Sequence, residues 1–289
     1  MEYEGRLFRP PSESGSLIIQ ATIGCSHNAC AFCTMYREKK FRIRSTEAIT
    51  QDLKEAAGLY GHHVKRLFFA DGDALILPTV DLLALMSLAQ SLFPDLERIG
   101  IYGSPNALRT KSVRDLAGLK QAGLGMIYTG IESGSDAVLE LMNKECSAAE
   151  MVELCRRVKS ANIPISTMII LGLGGDGLSE SHARDSAKVL NKIQPEFLSF
   201  MTLMVEEPAE LADWIRKDTF KLLTPLDTAK EVHLMLNGLT LRDTLLRSNH
   251  ASNYLDLNGH LPEDQPKILH ALKALIDQED VHETKWRSL

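Results

Sequence analysis

Cys25, Cys30 and Cys33 place three thiols within nine residues, just past the apolar run 17–23. So short a loop can turn all three sulfurs toward one object. As thiolates they suit a soft metal centre, either zinc or iron–sulfur. Three protein thiolates on a four-iron cube leave one iron open to a ligand from outside the protein, whereas the usual four would close it. Zinc is the rival chemistry, because His27 lies between the cysteines and would complete a Cys3His site. The chain has five cysteines. Three clustered thiols and two isolated ones make no disulfide framework. Cys146 and Cys155 read as helix-packing residues, the latter amid Val152, Leu154 and Val158.

The elements that must hold such a loop follow from an alternation of apolar runs with helical patterns. Strands are expected at 17–23, 66–70, 98–102, 126–131, 165–171 and 197–204, with helices at 47–59, 80–92, 112–122, 136–142, 148–160 and 180–193. Six strands alternating with helices imply βαβ units and a parallel sheet, and in such sheets functional groups gather where the strands end. The expected strand ends are polar or glycine-rich. After the cysteine loop come Asp71-Gly72-Asp73, Gly103-Ser104-Pro105-Asn106, Gly130-Ile131-Glu132-Ser133-Gly134-Ser135 and Gly172-Leu173-Gly174-Gly175. The fold class is therefore α/β, a partial (β/α)6 barrel. Residues 1–16 form a surface segment, 17–205 the barrel, and 206–289 a helical C-terminal extension packed on it, with helices at 209–220, 225–246 and 263–278.

With the cysteine loop and these strand ends together, the chain resembles radical-SAM enzymes over roughly residues 15–205. It is similar to the branch holding anaerobic coproporphyrinogen oxidase, the methylthiotransferases and the Elongator catalytic subunit. That resemblance implies one [4Fe–4S] cluster on Cys25, Cys30 and Cys33, with S-adenosylmethionine (SAM) on the open iron, although the family's usual spacing is C-x3-C-x2-C and this loop is C-x4-C-x2-C. Asp71-Gly72-Asp73 looks like the family's Gly-Gly-Glu motif, which puts Gly72 and Asp73 at the SAM amino group. Glu132 is implied at the ribose or methionine end. Lys144 stands where many relatives carry an arginine for the SAM carboxylate, and a lysine keeps the charge without the bidentate fork. Ser104 and Gly172, at the third and fifth strand ends, complete the expected cofactor set. Glu206-Glu207-Pro208 replaces a Pro-Gly-Thr-Pro loop common in relatives. The implied activity is cleavage of SAM to a 5′-deoxyadenosyl radical that abstracts hydrogen from a substrate, with a flavodoxin or ferredoxin as electron donor.

The substrate is expected to be a small anionic molecule. Net charge is −6, hydrophobic residues make up 44%, and no basic stripe marks a long nucleic-acid partner. The alternative is a tRNA-modifying enzyme, for which the basic run Arg37, Lys39, Lys40, Arg42 and Arg44 would serve; otherwise that run is a solvated face. A zinc- or cluster-containing binding module is the non-enzymatic alternative. Arg42, Arg44, Arg247, Asn249, His250 and Asn253 are the substrate candidates, with His250 the candidate proton-transfer group. The segment 247–253 is expected to fold back over the barrel mouth after a long helix. The uncharged stretch 160–175 is broken by Pro164 and three glycines, too short and too interrupted to span a membrane. The N-terminus lacks the basic and apolar regions of a signal peptide, so a cytoplasmic protein is expected.

Overall fold

Alternation of strand and helix runs through the computed structural model, which describes residues 1, 3–279 and 281. The chain divides into two compact units. The first comprises Met1–Asn28, Met35–Thr129 and Leu154–Ile165; the second comprises Ala29–Thr34, Gly130–Glu153 and Ser166–Leu289.

In the first unit, β1 (Leu17–Gln20), β4 (Arg66–Ala70), β5 (Arg98–Tyr102) and β6 (Leu124–Glu132) lie side by side, every pair parallel. Phe68, Phe69 and Ala70 at the end of β4 are fully buried, as a strand covered on both faces must be. The expected strand 17–23 is instead two. After Ala21 the chain leaves the parallel sheet, and β2 (Thr22–Ile23) pairs antiparallel with β3 (Arg42–Ile43). This ribbon clasps the cysteine loop at its base, a feature too short to show in any periodicity. The crossovers are α1 (Thr46–Tyr60), α2 (Thr79–Leu92), the short α3 (Pro105–Arg109) and α4 (Val113–Gln121). Ser45 caps α1 by accepting from the Ala48 amide, and Ile49, Leu53 and Ala56 make its buried stripe, spaced three and four apart as an amphipathic helix requires. Ser112 and Asp115 form a reciprocal capping box on α4.

The second unit begins with the end of β6 and α5 (Asp136–Leu141). Beyond α6 (Ala148–Ser160), β7 (Ile165–Leu171), α7 (Gly175–Ile193) and β8 (Phe197–Thr202) follow, and β7 and β8 pair in parallel. The remainder is α8 (Glu210–Arg216), α9 (Pro225–Asn237), β9 (Thr244–Ser248), β10 (Leu257–Leu261) and α10 (Gln265–Asp277). Here the extension differs from expectation. The helix foreseen to run from 225 to 246 stops at Asn237, and β9 joins β8 in parallel while β10 returns antiparallel. Gly238 closes α9, and Asn191 holds the exit: its amide donates to the Gly238 carbonyl at 2.8 Å and its carbonyl accepts the Thr240 amide at 2.7 Å. Cys155 is fully buried and Cys146 nearly so, in keeping with packing roles. Among the described residues, no helix is long and apolar enough to cross a membrane.

Candidate functional site

In the first unit, the cysteine loop starts at Gly24, whose φ of 78° suits glycine. Its amide donates to Asp71 Oδ2 at 3.1 Å, an oxygen that also takes Gln20 Nε2 at 3.1 Å and Lys39 Nζ at 2.7 Å. The other oxygen, Oδ1, has no partner. Gly72 faces the Tyr36 ring so closely that a Cβ would lie 2.5 Å from it; the glycine is set by that approach. Asp73 is fully buried and both its oxygens are served. Ser104 donates from its amide at 2.9 Å and from Oγ at 2.7 Å, and Ser26 Oγ donates as well. Burial raises the Asp73 pKa, and these hydrogen bonds pull it back. Through these bonds Asp73, in the motif expected at SAM, ties Cys25-Ser26 to the ends of β4 and β5. Ser104 also caps α3.

The basic run is engaged within the same unit. Arg42 forks onto Glu4, and Arg44 reaches the Gln20 carbonyl and Asp52, each at 2.6 Å. Lys39 reaches the Arg6 carbonyl as well as Asp71, and Arg37 donates to the Asn28 carbonyl at 2.9 Å. Arg42 and Arg44, the expected substrate candidates, are engaged in bracing the loop and its ribbon.

In the second unit, the other half of the loop is fixed from both sides. The Ala31 amide donates to the Met142 carbonyl, and the Ala31 carbonyl accepts the Leu211 amide, each at 3.0 Å. Asn143 Nδ2 donates to the Ala29 carbonyl at 2.9 Å. Ala31 belongs to a core with Val138, Met142, Ile170, Leu173, Leu203, Leu211 and Phe220, and Phe32 packs on it. Cys30 and Cys33 flank this buried anchor; both, like Cys25, are half-buried.

Glu132 ends β6 with φ 65°, a conformation that strains a residue with a side chain. Its carboxylate folds back over Gly130, where a Cβ would fall 1.8 Å from Oε1. Lys144 Nζ lies 3.1 Å from Oε1, with both side chains nearly buried. Oε2 is buried without a hydrogen-bond partner. A buried acceptor left open costs about 1–3 kcal/mol, and a ligand bearing hydroxyl or ammonium donors would remove that cost. Gly172, with φ 78°, closes the β7 end. Its amide is taken by Glu231 Oε1 at 2.7 Å, and its carbonyl by the Gly175 amide at 3.0 Å.

Sequence reasoning missed a buried polar network in this unit. Ser133 Oγ and His182 Nδ1 are 2.8 Å apart, Ser186 Oγ accepts the Gly134 amide at 2.8 Å, and Ser179 Oγ donates to Glu231 Oε2 at 2.5 Å. Burial drives His182 down to about 4 and Glu231 up to about 7. Ser179, His182 and Ser186 stand three and four residues apart, the spacing of one helix face, which was the available signal.

The segment 247–253 begins in the last two residues of β9, not after a long helix, and leads toward β10. Asn253 is buried and its amide is fully engaged: Nδ2 donates to the carbonyls of Phe200 at 2.8 Å and Ser248 at 2.9 Å, and Oδ1 accepts the Thr202 amide at 2.7 Å. His250 Nδ1 lies 2.9 Å from Ser252 Oγ, and burial lowers its pKa. Arg247 stacks on the Phe197 ring at 4.8 Å. Asn253, expected toward a substrate, knits β8 to the hairpin, while Asn249 is exposed.

Among the described residues, no group of three or more His, Cys, Asp or Glu side chains is gathered for a single metal ion. An iron–sulfur cube takes each thiolate on a different iron, and the half-buried thiols of an anchored loop fit it. Comparison with known proteins points the same way. The family model described as "Radical SAM superfamily" matches residues 19–190. The anaerobic magnesium-protoporphyrin IX monomethyl ester cyclase of Cereibacter sphaeroides is 26% identical over 161 residues, 53% of this chain and 24% of that protein. The tRNA-2-methylthio-N(6)-dimethylallyladenosine synthase of Hahella chejuensis is 25% identical over 200 residues, 65% of this chain and 43% of that protein. The chain thus spans less than half the length of either. Among solved structures, coproporphyrinogen III oxidase from Escherichia coli superposes with a TM-score of 0.57 at 20% identity, covering 77% of this chain and 50% of its own. That likeness shows the fold, an α/β partial barrel.

Proposed function

Because the chain belongs to the radical SAM superfamily, we propose that it is one of its [4Fe–4S]- and SAM-binding enzymes, that Cys25, Cys30 and Cys33 are the cluster ligands and that a small anionic substrate loses hydrogen here. The observation that carries this is the loop itself: three half-buried thiols in nine residues, matching a cube with one open iron. The cluster and SAM supply reductive cleavage to methionine and a 5′-deoxyadenosyl radical. The chain's own residues position and shield. Residues 17–205 act as the catalytic domain and 206–289 as its extension.

Glu132 offers its unserved oxygen to SAM hydroxyl or ammonium donors, and Lys144 supplies the positive charge for the SAM carboxylate. Gly72 and Asp73 shape the loop beside Cys25, with Ser104 holding Asp73 in place. Gly172 turns the β7 end. Two of the similar proteins are named for tetrapyrrole chemistry, which supports a small carboxylated substrate. The tRNA reading has one relative's name behind it, but Arg37, Lys39, Arg42 and Arg44 are engaged within the fold. His250 and Asn249, in the β9–β10 link, remain the substrate candidates of the extension. A flavodoxin or ferredoxin serves as the reductant.

The test is iron and product together. Anaerobically reconstituted protein is expected to hold about four irons per chain and to make 5′-deoxyadenosine under a strong reductant, and Cys30→Ala to lose both. Stoichiometric zinc without iron in anaerobic preparations would overturn the reading.

A further inference from the structure

His182 and Glu231 are both fully shielded from solvent, and nothing in the proposed chemistry uses them. His182 lies on α7 and its Nδ1 meets Ser133 Oγ at 2.8 Å. That hydroxyl also accepts the Ser135 amide at 3.0 Å, so it shapes the turn directly after Glu132. One turn further along α7, Ser186 Oγ accepts the Gly134 amide. The helix and the turn approach so closely that a Cβ on Gly134 would fall 2.3 Å from the Asp185 carbonyl oxygen. Glu231, on α9, takes the Gly172 amide at 2.7 Å and Ser179 Oγ at 2.5 Å. His182 Nε2 lies 3.8 Å from Glu231 Oε1, beyond hydrogen-bond reach, and is left without a well-formed hydrogen bond.

This is an unfavourable way to fill a core. Buried ionisable groups with an unmet donor or acceptor cost more than apolar side chains of the same size. What the network does is geometric: it joins the end of β6 to α7, and the end of β7 to α7 and α9. We propose that His182 and Glu231 are positioning residues for SAM, fixing through Ser133 and Gly172 the two strand ends that carry the cofactor contacts of this unit. The inference rests on the reading that Glu132 holds SAM. Glu132 sits next to Ser133 in a strained backbone conformation, so loss of the Ser133 tether lets its carboxylate turn away.

The experiment titrates SAM into the reduced, reconstituted holoenzyme and follows the electron paramagnetic resonance signal of the cluster. The variants are His182→Leu, Ser133→Ala, their combination, His182→Asn and Glu132→Ala. His182→Leu and Ser133→Ala should each weaken SAM binding about tenfold, the loss expected for one buried hydrogen bond. At saturating SAM their rate of 5′-deoxyadenosine formation should stay within about twofold of wild type, because chemistry after binding is untouched. The combined variant should be no weaker than either single one, since both cut one link. His182→Asn, which can still bond the Ser133 hydroxyl, should recover most of the affinity. Should His182→Leu fail to fold, as judged by melting of the cluster-free protein, Ser133→Ala carries the test with the loss of one hydroxyl. Wild-type SAM affinity in both, with weakened binding in Glu132→Ala, would overturn the positioning role and leave Glu132 in place. Wild-type affinity in Glu132→Ala as well would remove the reading beneath it, and the inference with it.

Discussion

Asp73 and Glu132 are both buried carboxylates at or just past the end of a parallel strand, one in each unit, yet the chain treats them in opposite ways. Asp73 receives three donors, from Ser26 and Ser104, and both its oxygens are served. Glu132 receives one, from Lys144, and its second oxygen is buried with none. Native proteins leave few buried polar atoms unserved, and each such atom asks for a reason. A fully served acid fixes the structure around it, whereas one left open in a strained backbone is matched to something that arrives later. Of two acids that a motif would treat alike, the second is therefore the better candidate for contact with the cofactor.

The largest effect that would break this contrast comes from Glu132→Ala. Its 5′-deoxyadenosine formation is expected to fall about 10²–10³-fold, the scale for loss of one preorganised polar contact to a reacting group. Its melting temperature should change little, because the variant also removes an unserved buried oxygen. Unchanged turnover with the cluster intact would take Glu132 out of the site.

The second test uses pH and a third buried carboxyl. Glu231 is held at about 7 against an ordinary 4.5. Between these values the folded protein keeps a proton that the unfolded chain has lost, so stability falls as pH rises from 4.5 to 7. His182 is held at about 4 against 6.5. Between those values the unfolded chain binds a proton that the folded one does not, so stability rises from pH 4 to 6.5. The two slopes oppose each other from 4.5 to 6.5. His182→Leu should expose the falling slope, losing about 3 kcal/mol from pH 4.5 to 7, and Glu231→Gln should expose a rise of about 3 kcal/mol from pH 4 to 6.5. Urea unfolding across this range reads both. Parallel profiles in the two variants would show that the pair does not titrate as the burial implies.

How far these roles were legible in the sequence differs from residue to residue. The cysteine loop and the polar strand ends could be read because each follows an apolar run of strand length, and the parallel order places them by rule. Which acid is served could not, because it depends on Ser26 and Ser104, 47 and 31 residues away from Asp73. Ser179, His182 and Ser186 are interleaved with Glu180, Arg184 and Asp185, so the residue types alone do not mark their side of α7 as covered. Only the packing of α9 decides which face is covered. The change from α9 to β9 was hidden for a different reason: Val232, Met235, Leu236 and Leu239 stand at i, i+3, i+4 and i+7 and continue a helical spacing straight through Gly238. The glycine, and the side chain of Asn191 that holds the chain there, override it.

A third, smaller effect sharpens the meaning of a served acid. Asp73→Ala leaves the Ser104 amide and the Ser26 and Ser104 hydroxyls without their acceptor. It should cost about 2–4 kcal/mol of stability, read as a lower melting temperature in cluster-free protein, with any loss of SAM binding following the loss of fold. A variant that melts like wild type but fails to bind SAM would place Asp73 with Glu132 and dissolve the contrast.

The smallest effect concerns Glu4, which Arg42 serves as fully as Asp73 is served, through two guanidinium bonds. The difference is location, for both side chains are more than half exposed. Water can replace either partner at an exposed pair, and salt screens what attraction remains. Being served should therefore matter only where burial makes the alternative costly. Arg42→Gln is expected to leave melting temperature unchanged within error. It also tests the place of Arg42 among the substrate candidates, because a guanidinium committed to Glu4 has no part in binding and the variant should keep the KM of the enzyme once its substrate is in hand. A raised KM at unchanged melting temperature would show that Arg42 leaves Glu4 for the substrate, and that full service in the resting protein does not by itself mark a residue as structural.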